Sequence, residues 1–206
     1  MKTIRLSSIE INEISDEIIE LIRSSGKMAH HLHIPVQSCE DSVLRLMNRP
    51  YTIEEYKERI AYIRSRIPDI SISTDLIVGF PQESPESFDL TCQNIQDISF
   101  SFIHCFPYSR KKGTAADKMS GHIDPQIKKE RVNTILQIDK DLRRKYAESF
   151  IGKECEVLIE KNEDGCSYGY TRQYIYTKIR GSYPVGEIYK VLIDSVKEEV
   201  EGHVAE

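Results

Sequence analysis

The sequence has no pair of cysteines at Cys-x2-Cys spacing. Its five thiols, Cys39, Cys92, Cys105, Cys155 and Cys166, are odd in number and far apart. That excludes a simple disulfide framework and reads as idle thiols in a reducing compartment. No stretch approaches the roughly 18 apolar residues of a membrane span. The opening Met1-Lys2-Thr3-Ile4-Arg5 lacks the apolar core of a signal peptide. These absences together predict a cytoplasmic protein with no membrane partner. Internal repeats and low-complexity tracts are also missing. An overall basic excess is lacking too: the net charge of -5 over 206 residues argues against a wholly basic nucleic-acid binder.

What is present is a 39% hydrophobic content, enough for a real core, and 30% charged residues suited to a solvated surface. Charge is uneven. Residues 109–145 carry 11 Lys/Arg against 5 Asp/Glu, whereas residues 151–206 carry 7 against 11. The basic stretch reads first as a solvated helix face.

Up to about residue 149, strand and helix patterns alternate. Strands are predicted over residues 3–8, 31–36, 70–79 and 102–107. Ser15 caps a predicted helix over 16–23 with Gly26 as its stop. A short helix follows over 41–47, with Val43, Leu44 and Met47 inward. Thr52-x-x-Glu55 is a capping box, in which the hydroxyl and the carboxylate each satisfy an orphan amide. It opens a helix with Tyr56, Ile60, Ile63 and Ile67 on one face. Ser84-Pro85 starts another, with Phe88, Ile95 and Ile98 inward. Asp124-Pro125 opens a long polar helix to residue 148, with Ile135, Leu136 and Leu142 as its apolar positions. Alternation of this kind predicts an α/β fold with a parallel sheet and outer helices. Beyond Gly152, short strands at 154–159, 169–179, 187–193 and near Gly202, parted by turn residues, predict a small all-β barrel. The boundary falls near Phe150, giving residues 1–149 and 150–206.

Several residues could carry chemistry. His31 and His33 would share one face of a strand. No carboxylate or further histidine stands at a familiar ligand spacing, so a structural role is expected and no metal site. Gln37 and Ser38 leave the sheet where a ribose or carboxylate could be bound, although Ser38 serves equally as a cap for the next helix. Gly79 lets backbone approach a ligand closely, and Phe80-Pro81 could wall a flat ring. Glu83 suits the first turn of a helix. Tyr108, Arg110, Lys111 and Lys112 combine an exposed aromatic with cations, a pattern that fits nucleic acid. The sequence names no catalytic residue.

Segments 5–10, 31–38, 47–49, 73–83 and 106–114, then Gly169-Tyr170-Thr171 and Tyr174, stand in a fixed order. In that order the chain closely resembles the radical S-adenosylmethionine methylthiotransferases that act on tRNA. Arg5-Leu6-Ser7-Ser8-Ile9-Glu10 is most similar to the branch that modifies N6-threonylcarbamoyladenosine at position 37, beside the anticodon. The isopentenyladenosine branch and the ribosomal-protein branch are similar as well. The resemblance implies a partial (β/α) radical SAM barrel followed by a TRAM β-barrel. It implies S-adenosylmethionine and [4Fe-4S] clusters as cofactors and tRNA as partner. By position it places His33, Gln37 and Ser38 near the cofactor's ribose and methionine, and Ile77, Gly79 and Pro81 beside its adenine. Arg172, Lys178 and Arg180 become candidates for phosphate contact. Three departures stand out. Gln37-Ser38-Cys39-Glu40-Asp41 replaces the family's Gln-Ser-Gly-Ser-Asp, and Gln82 replaces a glycine. The Cys-x3-Cys-x2-Cys run that holds the cluster is absent. Thiolates hold such clusters, so the chain alone is expected to be inactive, with Met1 at the third barrel strand and a missing N-terminal half as its complement. A non-catalytic RNA-binding module or an inactive truncated remnant is the competing expectation.

Overall fold

The structure, a computed structural model, describes residues 3–205. Three parallel strands, β1 (His31–His33), β2 (Ser71–Val78) and β3 (Phe102–Pro107), form a sheet in that spatial order. Register pairs His33 with Ser73, Asp75 with His104 and Ile77 with Phe106. Five helices accompany it: α1 (Asp16–Ser24), α2 (Asp41–Leu46), α3 (Ile53–Arg66), α4 (Pro85–Ile98) and α5 (Pro125–Glu148). Leu32, Ile72, Leu76, Val78 and Ile103 join the apolar helix faces in one buried core. Tyr56, Ile60 and Ile63 of α3, and Phe88, Ile95 and Ile98 of α4, are buried as their spacing predicts. Among the described residues, no helix is long and apolar enough to cross a membrane.

Capping follows the sequence closely. Ser15 accepts from the Ile18 amide, the Thr52–Glu55 box is complete, and Ser84 accepts from the Ser87 amide ahead of Pro85. Asp124 caps α5 at Gln126 N. Ser38 does not cap α2: Glu40 does, accepting from Ser42 N and Val43 N. Leu136 is likewise turned outward, 48% exposed, while Ile135 and Leu142 are buried.

Two predicted strands are shorter than their patterns. Residues 3–8 contribute a single bridge, Ile4 to Met28. β1 stops at His33 because Pro35 offers no amide and Val36 N turns to the Thr74 hydroxyl at 2.9 Å. Gln37, at φ 66, rejoins Leu76 by an isolated bridge.

Beyond Phe150, β4 (Glu154–Glu163), β5 (Cys166–Thr171), β6 (Tyr176–Arg180), β7 (Ile188–Val196) and β8 (Val200–Val204) close a barrel in the order β4-β5-β6-β8-β7. Val157, Ile159, Ile179, Val191 and Ile193 fill it, and Ala147 and Phe150 from the end of α5 join that cluster. The predicted 169–179 strand is two strands, broken by a turn in which Tyr174 adopts φ 64. Thr171 holds the turn: its carbonyl accepts from Tyr174 N at 2.9 Å and its hydroxyl from Ile175 N at 3.1 Å.

The barrel closes tightly at Gly169. A Cβ there would stand 2.0 Å from the Leu158 carbonyl oxygen, and backbone cannot yield as a flexible side chain can. Gly169→Ala is therefore expected to destabilise the fold by about 3 kcal/mol, the upper end for overpacking. Urea unfolding checks this; Gly26→Ala, where a Cβ has open space and the backbone is not left-handed, would lose far less.

Candidate functional site

Alternation along the three strands puts His31 and His33, Ser71, Ser73 and Asp75, and Phe102, His104 and Phe106 on the face opposite the helices. All line a cavity of about 700 Å³. Most of these residues are polar, so this floor cannot be sealed beneath an apolar layer without stranding its hydrogen-bonding groups. The Ser73 hydroxyl bridges two rings, 3.0 Å from His31 Nε2 and 2.9 Å from His33 Nδ1. His33 Nε2 stands 3.2 Å from the Asp75 carboxylate. The His33 and His104 rings meet edge to face at 5.7 Å.

The barrel supplies the opposite wall. Tyr170 and Tyr174 stack at 4.4 Å and 10°, and Tyr176 lies 4.9 Å from Tyr170. Arg5 sits 4.1 Å over the Tyr174 ring, and His31 lies 4.9 Å from the same ring. On the outer side Lys161 and Lys178 flank Tyr168. The turn between β5 and β6 holds this wall in place. Arg172 donates to the Ser25 and Met28 carbonyls at 2.9 and 2.8 Å, and Gln173 donates to the Asp69 carboxylate at 2.6 Å. Tyr146 of α5 donates to the Asp69 carbonyl at 2.8 Å.

Burial, reinforced by the nearby Arg5 and His33, pushes His31 down to about 3. Burial also lowers His104, so that ring is neutral at pH 7. The His30 hydrogen bond, with help from Gln173, holds Asp69 down at about 2.

The residues expected to hold S-adenosylmethionine separate here. His33 lines the cavity, and Ile77 is half-buried further along the same strand face. Gln37 is half-buried, while Ser38, Gly79 and Pro81 are buried. The open backbone expected at Gly79 is filled: a Cβ there would lie 2.4 Å from the Lys128 side chain. Glu83 is not a simple helix-turn charge. It is 4% exposed, accepts from Gly79 N and Phe80 N, and pairs with buried Arg131 at 2.6 Å. Among the basic candidates, Lys111, Lys112 and Arg180 are exposed. Arg110 is paired with Asp117, Lys178 with Glu199 at 3.0 Å, and Arg172 is committed to the Ser25 and Met28 carbonyls. Tyr108 is not the exposed ring expected: it packs 5.1 Å from Phe80, and its hydroxyl is buried without a partner. The tyrosine wall was missed by residue-level reasoning. Its signal was the Tyr168, Tyr170 spacing on one strand face, followed by Tyr174 and Tyr176.

The thiols do not fit an iron–sulfur cluster. Among the described residues no three cysteines bring their sulfurs together, and burial raises Cys39, Cys92, Cys105 and Cys155 away from the thiolate form. The cavity fits a nucleoside better, with stacked tyrosines on one side, hydroxyl and imidazole groups on the other, and a buried His31 Nδ1 lacking a hydrogen-bond partner.

Residues 2–95 match the model of the radical SAM superfamily. The chain is 37% identical to the threonylcarbamoyladenosine tRNA methylthiotransferase of Bacillus subtilis, over 94% of this chain and 44% of that protein. It is 41% identical to the protein of the same name from Aquifex aeolicus, over 94% of this chain and 46% of the relative. It is also 38% identical to the tRNA-2-methylthio-N(6)-dimethylallyladenosine synthase of Thermodesulfovibrio yellowstonii, over 94% and 45%. The chain thus spans less than half the length of these curated relatives.

The depressed His31 has a consequence for stability. Its folded pKa of about 3 lies below its ordinary 6.5, so between those values the unfolded chain binds more protons. Stability therefore falls as pH drops from 6.5 toward 3. Asp69, lowered from 3.8 to about 2, adds a separate loss below about pH 4. Urea midpoints measured from pH 7 to 4.5 are expected to decline in the wild type and to decline less in His31→Gln; equal slopes would contradict the assignment.

Proposed function

We propose that this chain, a relative of the radical SAM tRNA methylthiotransferases, takes part in methylthiolating N6-threonylcarbamoyladenosine at position 37 of tRNA. Two lines support the reading. The likeness runs through 94% of the chain in each of the three relatives named above. The cavity also pairs a polar strand face with stacked tyrosines, which suits a modified purine lifted from an RNA loop. The cavity carries the argument for a modified purine; the choice of N6-threonylcarbamoyladenosine rests on the resemblance of residues 5–10, since the identities to the two branches of relatives are too alike to divide them.

In this reading, the first 149 residues are part of a (β/α) barrel and residues 150–206 are a TRAM-like module. His33 meets the ribose of S-adenosylmethionine on the cavity floor, with Ile77 further along the strand. Tyr170 and Tyr174 offer rings to a base, because every base has a face to stack on. Lys111, Lys112 and Arg180 contact phosphates, and Tyr108 lies at the base of the same loop. Thiolates for the [4Fe-4S] clusters come from another polypeptide segment, the family's N-terminal half. When bound, the clusters and S-adenosylmethionine supply the radical, the sulfur and the methyl group. This chain's own residues bind, orient and stack. The thiols' failure to assemble favours a second reading, in which the isolated chain binds RNA without turnover.

Titrating tRNA into the chain by fluorescence anisotropy tests this. Affinity is expected to fall with salt. Lys111→Ala combined with Lys112→Ala should reduce the slope of log K against log salt by about 1.5. Tyr174→Ala should weaken binding by about 1–3 kcal/mol with little change of slope. Anaerobic reconstitution of the chain alone should leave it short of four irons and produce no 2-methylthio nucleoside. A four-iron chain with turnover, or no tRNA binding at all, overturns the proposal.

A further inference from the structure

The polar floor brings together three side chains that sequence spacing kept apart. His33 on β1, Asp75 on β2 and His104 on β3 each offer one ligand atom, and these atoms lie within 4.8 Å of one another. Ladder hydrogen bonds fix the three strands side by side, with Asp75 directly opposite His104 and His33 one pleat away opposite Ser73. We propose that His33, Asp75 and His104 form a binding site for a divalent transition-metal cation of the zinc class, with its open coordination position facing the cavity.

The hydrogen bonds leave room for a cation here. The Ser73 hydroxyl has one proton and two histidine partners, so in a neutral trio it donates to one ring and accepts from the other. When Ser73 donates to His33 Nδ1, the His33 Nε2 proton satisfies Asp75. When it donates to His31 Nε2 instead, His33 donates through Nδ1 and turns the lone pair of Nε2 toward Asp75. In that arrangement two lone pairs 3.2 Å apart take a cation between them. A proton could serve for that pair alone. The His104 imidazole, exposed on the next strand, adds a third donor that a shared proton would leave unused. Ser73 meanwhile fixes the His33 ring, the kind of outer hydrogen bond that orients metal-bound histidines.

Two imidazoles and one carboxylate, with room for water or a ligand in a further position, match the donor set of open zinc and non-haem iron sites. Bonds of about 2.0–2.1 Å would draw the donors closer than they now stand. His104 is the ring free to move, because it is exposed and lies at the cavity edge. The five thiols take no part.

Zinc titrated into the metal-stripped chain against a chromophoric chelator is expected to bind at one equivalent. His104→Ala and Asp75→Asn should each weaken it by about tenfold or more. His203→Ala, which removes the barrel histidine paired with Asp194, should leave it unchanged. Cobalt in place of zinc should give visible bands without the intense near-ultraviolet absorption of thiolate ligation. Circular dichroism melts confirm folding of each variant, and His104, being exposed, is the one least able to disturb it. No bound zinc, equal affinity in wild type and His104→Ala, or a thiolate band would overturn the site. None of these outcomes bears on tRNA binding, so this inference and the proposed function are tested separately, although a bound cation would take His33 from the ribose contact proposed above.

Discussion

The inward face of the sheet is the constraint from which the rest of the architecture follows. A strand face bearing His31, His33, Ser73, Asp75 and His104 cannot be buried against hydrocarbon without leaving donors and acceptors unpaired. Its opposite face, Leu32, Ile72, Leu76, Val78 and Ile103, disappears under helices, and its one buried hydroxyl, Thr74, is satisfied by the backbone of residues 34 and 36. One sheet thus has a dry side and a wet side. The barrel meets the wet side through polar contacts at its margin and a tyrosine wall, and a cavity remains between them.

Those marginal contacts converge on Asp69. Its carboxylate receives His30 and Gln173, and its carbonyl receives Tyr146. Arg172 reaches the carbonyls of Ser25 and Met28 from the same turn. A residue that the family resemblance offers as a phosphate binder is thereby a tether. The positive φ of Tyr174 at the tip of that turn is the kind of backbone exception that clusters at ligand sites, and here it aims an aromatic ring at the sheet.

The far ends of the strands tell a different story. Glu83 is buried with Arg131, and burial raises its carboxyl while the guanidinium and two backbone amides oppose that. Lys128 covers Gly79. Together they lock α5 over the end of β2, where a cofactor's adenine was expected. The open surface lies on the strand faces, because Lys128 and Arg131 of α5 occupy the end of β2 while the polar groups of the face keep it from being sealed.

Much of the local structure could be read directly from the chain. The capping box at Thr52 and Glu55 and the Ser84-Pro85 and Asp124-Pro125 helix starts all rest on interactions within a few residues. The order of short segments likewise carried the kinship. What sequence could not supply were meetings across strands. Nothing in the spacing of residues 33, 75 and 104 announces that parallel pairing will bring two imidazoles and a carboxylate within reach. Nor does it show that Lys128 will cover Gly79, or that the 169–179 run will break at Tyr174. Register and helix docking decide those, because they are set by the burial of the whole apolar face and not by any residue's own neighbours.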